Sequence, residues 1–386
     1  MPIIGEVQIK PQAFAAAAAW AAKWVTLKPV VPVHAGLALE VHADRLYIGA
    51  FNENVSARAM VDVEVADAEA VAGGKSRAVV SGRLLAELVG TFAGKLVTIT
   101  GDENSVFLRA GRFSVSLPTL NEGDFPALPT APPPIGSVSG DALATAVGRV
   151  SVAVGRDPAM GTIFSTVFLG FADNHIELLA TDRYRAAGVS LPWTVNAGAR
   201  TAGPDALVLG HVLKDAALGF AGPDEIEIGL SGSAISLTSP TRSLTIQQAV
   251  LQQGQEYPLK QFQEYLVTEQ ERSAVLTVAD MLAPLKRAGL VRGKEGPVRL
   301  TFSPGEVVVS SKADEIAQEG DEGVDVEYEG EETAIAFNPH YFSDALSTVP
   351  AAKVRLGFGS PKKPITLSVD DDPSWHHILV PVLIRK

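Results

Sequence analysis

A long-range internal repeat constrains this chain more than any single motif. Ala78-Val79-Val80, Ala206-Leu207-Val208 and Ala334-Ile335-Ala336 each read as a short strand running into a helix, at 81–94, 210–219 and 338–346. They begin at 78, 206 and 334, a spacing of 128 residues both times. The strands that follow keep step: 96–99, 226–228 and 354–356, then 106–108, 235–237 and 365–369. An earlier helix precedes each set, at 11–24, 140–154 and 279–291. Three copies of one unit fill the 386 residues, so the fold must be a unit that can be strung in series.

Each unit reads strand, helix, several short alternating strands, and the same again. That pattern predicts an α+β fold: three repeated domains, each with two helices packed on curved antiparallel sheet. Boundaries fall at the proline-rich 129–134 and near 268–272, giving domains 1–134, 135–268 and 269–386. Ser139 or Asp141, Asp280 and Ser81 are placed to cap helix starts, and Pro339 suits a first turn. The alanine-rich 13–22 follows Lys10 but runs on into Lys23, which reads as a helix and not a targeting segment. No run of eighteen apolar residues occurs, so no membrane span is expected.

Catalysis finds little support. Cysteine is absent, which removes disulfides, thiolate metal sites and a cysteine nucleophile and suits a reducing cytoplasm. Gly74-Lys75-Ser76 ends like a phosphate-binding loop, but Glu69 stands where its first glycine belongs. Asp370-Asp371-Asp372 with His376-His377 reads as a solvated hairpin rather than a metal site, and the acidic 314–332 as a solvated sheet edge. No cofactor is expected.

The net charge of −12 argues against nucleic acid until its distribution is examined. Helix windows at 11–24, 81–95, 139–156, 204–219, 279–294 and 338–348 hold ten basic residues (Lys23, Arg83, Lys95, Arg149, Arg156, Lys214, Lys286, Arg287, Arg292, Lys294) against six acids. The windows carry +4 and the remainder −16. If the helices face one way, they form a mildly basic surface on an acidic body, suited to phosphate contact without sequence preference.

The stretch 175–192 reads as a strand, a turn at Thr181-Asp182 and a second strand, with Asp182, Arg183, Tyr184 and Arg185 at the tip. Ala180–Ala187, ATDRYRAA, resembles the Ala-Thr-Asp-Gly-His-Arg-Leu-Ala signature of bacterial DNA sliding clamps, the β subunit of DNA polymerase III. Residues 112–117 with 123–128 resemble the end of that family's first domain, and 378–382 its terminal strand. Lys28-Pro29-Val30-Val31-Pro32 resembles the segment after its first helix. The resemblance spans essentially the whole chain.

It implies a non-catalytic processivity factor for DNA replication in the cytoplasm. Two copies would join head to tail in a closed ring, helices inside and sheets outside, encircling duplex DNA. Lys28 and Arg156 match DNA-touching positions, and with Lys23, Arg83, Arg149, Lys214, Lys286, Arg287 and Arg292 make the expected DNA-binding set. Phe113, Val115 and Leu290 match the subunit interface. The family also binds short peptides of the polymerase III catalytic subunit, the clamp loader and repair polymerases. By position that pocket falls on Phe164, Thr181, Arg183, Tyr184, Arg185, Pro258, Val380, Pro381, Val382, Leu383 and Ile384. The chain departs from the family within it. Arg183-Tyr184 replaces Gly-His, Ala186 replaces leucine, Gln255-Glu256-Tyr257-Pro258 replaces a Gly-Arg-Phe-Pro-like stretch, and Leu383-Ile384-Arg385-Lys386 ends the chain. Two other classes stand beside this reading: a non-catalytic scaffold on the same repeats, and an enzyme using Asp182 and Arg185.

Overall fold

The structure, a computed structural model, describes residues 4–26, 28–65, 77–94, 96–198, 205–267, 270–291, 296–312, 319–360 and 362–383. The expected roles of Lys95, Arg292, Lys294 and Ile384, and the glycine loop at 74–76, lie outside these residues. Two compact units form. One comprises 1–139, 195–200 and 222–248, the other 140–194, 201–221 and 249–386. No helix among the described residues is long and apolar enough to cross a membrane.

The first unit holds a fourteen-stranded sheet with the helices Pro11–Ala22 and Gly82–Val89 packed together. Phe14, Ala17, Ala18, Trp20 and Ala21 form the buried face of the first helix, which lies on the strands Arg45–Phe51 and Val55–Asp62. Its alanines let the backbone approach the sheet closely, and its start needs no N–H partner at Pro11. Ser81 does precede the second helix, but its side chain makes no capping hydrogen bond there.

The second unit holds a twelve-stranded sheet and two packed helix pairs: Gly140–Ser151 with Gly210–Gly219, and Val278–Val291 with Pro339–Ser347. Pro339 sits in the first turn, where Asn338 accepts a hydrogen bond from the His340 N–H at 3.0 Å. Gly210 is required by packing: a Cβ there would lie 2.7 Å from Val154. A further helix, Leu259–Val267, has no counterpart among the expected elements. Its apolar residues Leu259, Phe262 and Leu266 follow helical spacing.

The repeats are stitched by strand pairing. Strand Arg242–Gln247, the end of the second repeat, pairs antiparallel with Val55–Asp62 of the first. Strand Asp372–Leu379, the end of the third, pairs the same way with Arg185–Pro192 of the second. This is why the central repeat is shared between the two units: its last strands extend the first repeat's sheet. The equivalent terminal strand of the first repeat, Phe113–Leu120, pairs over 113–118 only with Ser105–Ala110. The acidic strand Glu319–Tyr328 pairs over 319–325 only with Glu306–Lys312. Among the described residues both segments present an open edge. The acidic stretch is thus only partly the sheet edge expected of it, because 326–328 also pair with 274–276 and Val324, Val326 and Tyr328 are buried.

Candidate partner pocket and charged surfaces

The two strands His175–Thr181 and Arg185–Pro192 turn at Asp182–Tyr184, and the tip is organised by buried charge. The Asp182 carboxylate accepts backbone N–H bonds from Tyr184 and Arg185 through Oδ1, each 3.1 Å. Its Oδ2 accepts from Arg185 Nε at 2.9 Å, and Arg185 Nη1 donates to Asp344 at 2.7 Å. Arg185 and Asp182 are almost wholly buried, so the pair is held by its own hydrogen bonds rather than by water. The guanidinium also lies 4.3 Å from the Tyr341 ring centroid, and Tyr341 stacks on Tyr184. An enzyme built on Asp182 and Arg185 would need these groups free for a substrate, yet each is committed to the other.

The first repeat has the same turn without the charge. Asn52 Oδ1 accepts from the N–H groups of Asn54 and Val55, each 2.9 Å. Val55 there stands where Arg185 stands in the second repeat, each paired with the terminal strand of the next repeat. The ionic tip is therefore a specialisation of the second repeat.

Beside this tip lies a cavity of about 300 Å³. Leu179, Phe262 and Ile378 form its apolar floor, continuous with Phe168 and the partly buried Ala186, Tyr257 and Leu266. Phe262, from the unforeseen helix, lies across the strand at Gly188, where a Cβ would be 2.6 Å from its ring. Tyr257 stacks on Phe168 and donates its hydroxyl hydrogen to Leu179 O at 2.9 Å; burial pushes its pKa up. Phe164, Arg183, Glu256, Tyr265 and Pro364 complete the rim. The terminal strand is held by Val380 N–H to Tyr184 O and Val382 N–H to Ala336 O, both 2.8 Å.

Of the residues named for this pocket, Phe164, Thr181, Arg183, Arg185, Pro258 and Val380 line the one cavity. Tyr184, Pro381, Val382 and Leu383 do not. Tyr184 turns toward Tyr341, Pro381 is buried, and Val382 and Leu383 are exposed beyond the rim. Sequence reasoning missed Phe262, Leu179 and Ile378, which form the floor. The helical spacing of Leu259, Phe262 and Leu266 was the signal for the first. His377, beside Ile378, is fully buried with neither ring nitrogen hydrogen-bonded among the described residues.

The basic residues sit differently from their windows. The helices 11–22, 82–89, 140–151 and 339–347 end before their windows do, and over their described residues the six repeat helices carry five basic residues (Arg83, Arg149, Lys214, Lys286, Arg287) and five acids (Glu87, Asp141, Asp215, Asp280, Asp344). Among the described residues the helices are neutral. Lys23 caps its helix, while Lys28 and Arg156 occupy the following loops; all three are exposed. Lys214 and Lys286 are exposed, Arg149 half-buried. Arg83 is paired with Glu87, and Arg287 with Glu322 through two hydrogen bonds. Phe113 and Leu290 are exposed apolar residues, 48% and 77%, and Val115 is half-buried. The acidic hairpin is tied by Arg355, whose guanidinium grips Asp370 twice at 2.6 Å, and no metal-binding cluster occurs among the described residues.

Comparison with known proteins places this geometry. Residues 6–129 match the family described as the DNA polymerase III beta subunit, N-terminal domain, and residues 264–383 its C-terminal domain. The beta sliding clamp of Streptomyces coelicolor is 30% identical, over 98% of this chain and 99% of that protein. The beta sliding clamp homolog GriR of Streptomyces muensis is 27% identical over the same shares. A Pseudomonas aeruginosa DnaN sliding clamp solved with griselimycin bound superposes with a TM-score of 0.87 at 20% identity, covering 98% of this chain and all of the other.

Proposed function

This chain belongs to the DNA polymerase III β sliding-clamp family, and from that premise we propose that it works as a head-to-tail homodimer closed around duplex DNA, with domains at 1–134, 135–268 and 269–386. It acts as a polymerase processivity factor and not by catalysis, in the bacterial cytoplasm. The observation that carries the ring is the repeated strand joint. Each repeat ends in a strand that pairs with the preceding repeat's sheet; this happens twice within the chain and leaves 113–118 and 319–325 open. Pairing the open edge of one copy with that of the next is a head-to-tail contact, which closes into a ring or runs on as a filament; the ring proposed here closes with two chains. Phe113, Val115 and Leu290 are the apolar contacts proposed for that joint.

Within such a ring the DNA needs no tight grip. Lys23, Lys28, Arg156, Lys214 and Lys286 offer exposed charge without a carboxylate partner among the described residues; Arg83, Arg149 and Arg287 are weaker contributors because they are paired or half-buried. Diffuse phosphate attraction from flexible side chains tethers without fixing register, which is what sliding demands. The cavity beside Arg185 is the proposed seat for short peptides of the polymerase, loader and repair polymerases, its apolar floor taking leucine and aromatic side chains. The test pairs sedimentation with DNA retention. A dimer retained on nicked circular DNA and released on linearisation is expected; a monomer, or retention that survives linearisation, refutes the topological reading.

A further inference from the structure

Arg183 occupies a backbone position that disfavours it. Its φ is +75°, in the left-handed region where a side chain is strained and glycine is not. A non-glycine residue held there needs a compensating role. Its guanidinium arches over the cavity, with its central carbon 4.5 Å from the Phe164 ring centroid, and Nη2 donates to Met160 O at 3.1 Å. The other guanidinium on the lining, Arg185, is already neutralised by Asp182 and Asp344. Arg183 has no carboxylate partner among the described residues. Glu256, the one carboxylate on the lining, forms no ion pair with it.

We infer that Arg183 is a specificity-determining residue that makes this pocket select extended apolar peptides bearing a carboxylate beside their anchors. The inference rests on the pocket being the partner site. Phe164 holds the guanidinium plane from one side and Met160 O from an edge, so the fork is pre-oriented and its remaining N–H groups are available at the rim. An incoming carboxylate gains charge-assisted hydrogen bonds at little ordering cost, whereas an amide gains weaker ones. Arg185 cannot substitute, since recruiting it would strip Asp182 of its buried partner.

The probe is a set of fluorescent hexapeptides carrying one leucine and one phenylalanine, with a single Glu or Gln walked through the other positions. Binding to the intact protein is read by polarisation. At one position the Glu peptide should bind about tenfold tighter than its Gln twin, and the ratio should shrink as salt rises. Arg183→Gln should bring that ratio to about one, chiefly by weakening the Glu peptide. Arg183→Gly should do the same and raise the melting temperature by relieving the φ strain. Tight binding with no Glu preference, or a preference that survives in Arg183→Gln, overturns the inference and leaves the pocket assignment standing. No binding of any peptide at about 1 mM overturns both.

Discussion

Lowering the pH from about 7 to about 5 is expected to weaken the second unit by about 2 kcal/mol through one side chain, His377. Its imidazole is fully enclosed on the strand Asp372–Leu379, opposite Ala187 on one side and Leu367 on the other. Burial, with a smaller push from the Arg185 charge, pulls its pKa from 6.5 down to about 3. A base whose folded pKa lies below its unfolded value binds its proton better when unfolded. Above pH 6.5 no protonation penalty therefore applies, and stability drains away by about 1.4 kcal/mol per unit as the pH falls from there toward 3. His376, half-buried and lowered by the same cause, acts in the same direction. Glu177 and Asp205, raised by burial, act oppositely, because protonation suits their folded sites. The assay is urea unfolding at both pH values for the wild type and His377→Leu. Leucine has similar bulk and leaves no buried nitrogen unpaired, so the variant should match or exceed the wild type at pH 7. It should lose about 2 kcal/mol less between the two pH values. If both proteins lose the same stability, the histidine is not the titrating group. Because the strand supplies Ile378 to the cavity and leads directly into Val380, peptide affinity should fall alongside stability in the wild type.

Three further outcomes follow from named contacts. Phe113→Asp places a charge in the proposed joint and should give monomers by sedimentation, since an unpaired buried charge costs several kcal/mol, about 3 or more; an undisturbed dimer would count against the joint. Gly188→Ala should push Phe262 off the strand and weaken peptide binding by about tenfold or more while the dimer persists; unchanged affinity would place the peptide elsewhere. Replacing Lys28 or Arg156 with alanine should lower the slope of log DNA affinity against log salt by up to about one unit each, with no change in sequence preference; strong preference in a binding selection would refute diffuse contact.

Internal periodicity made the fold class legible. A strand feeding a helix every 128 residues is a local pattern, set by alternation along strands and by turn residues, and it survives in the elements at Arg77–Ser81, Ala206–Leu209 and Thr333–Phe337. The hairpin tip was legible for the same reason: Thr181 and Asp182 turn the chain through their own side-chain bonds. Helix ends were not. Apolar periodicity continues past Ala22 and Ser151 into turns, so the windows captured Lys23 and Arg156 and made the helices look more basic than their described residues are.

The pocket divided along the same line. Of its rim residues, Arg183, Arg185 and Val380 sit in the motifs that carry the family resemblance and Phe164 is placed by position within it, so the resemblance made them nameable. The floor depended on packing at long sequence separation: Phe262 lies on a strand 74 residues earlier because Gly188 carries no Cβ, and Ile378 arrives by cross-strand pairing with Ala186. Which strand edge pairs with which is equally a tertiary matter, since every strand offers the same backbone groups and only burial of the faces selects the register. The sequence alone determined what repeats and where the chain turns, because both arise from neighbours a few residues apart. The tertiary structure alone decided which edges were joined and which left open, because that choice belongs to surfaces that meet only after the chain has folded.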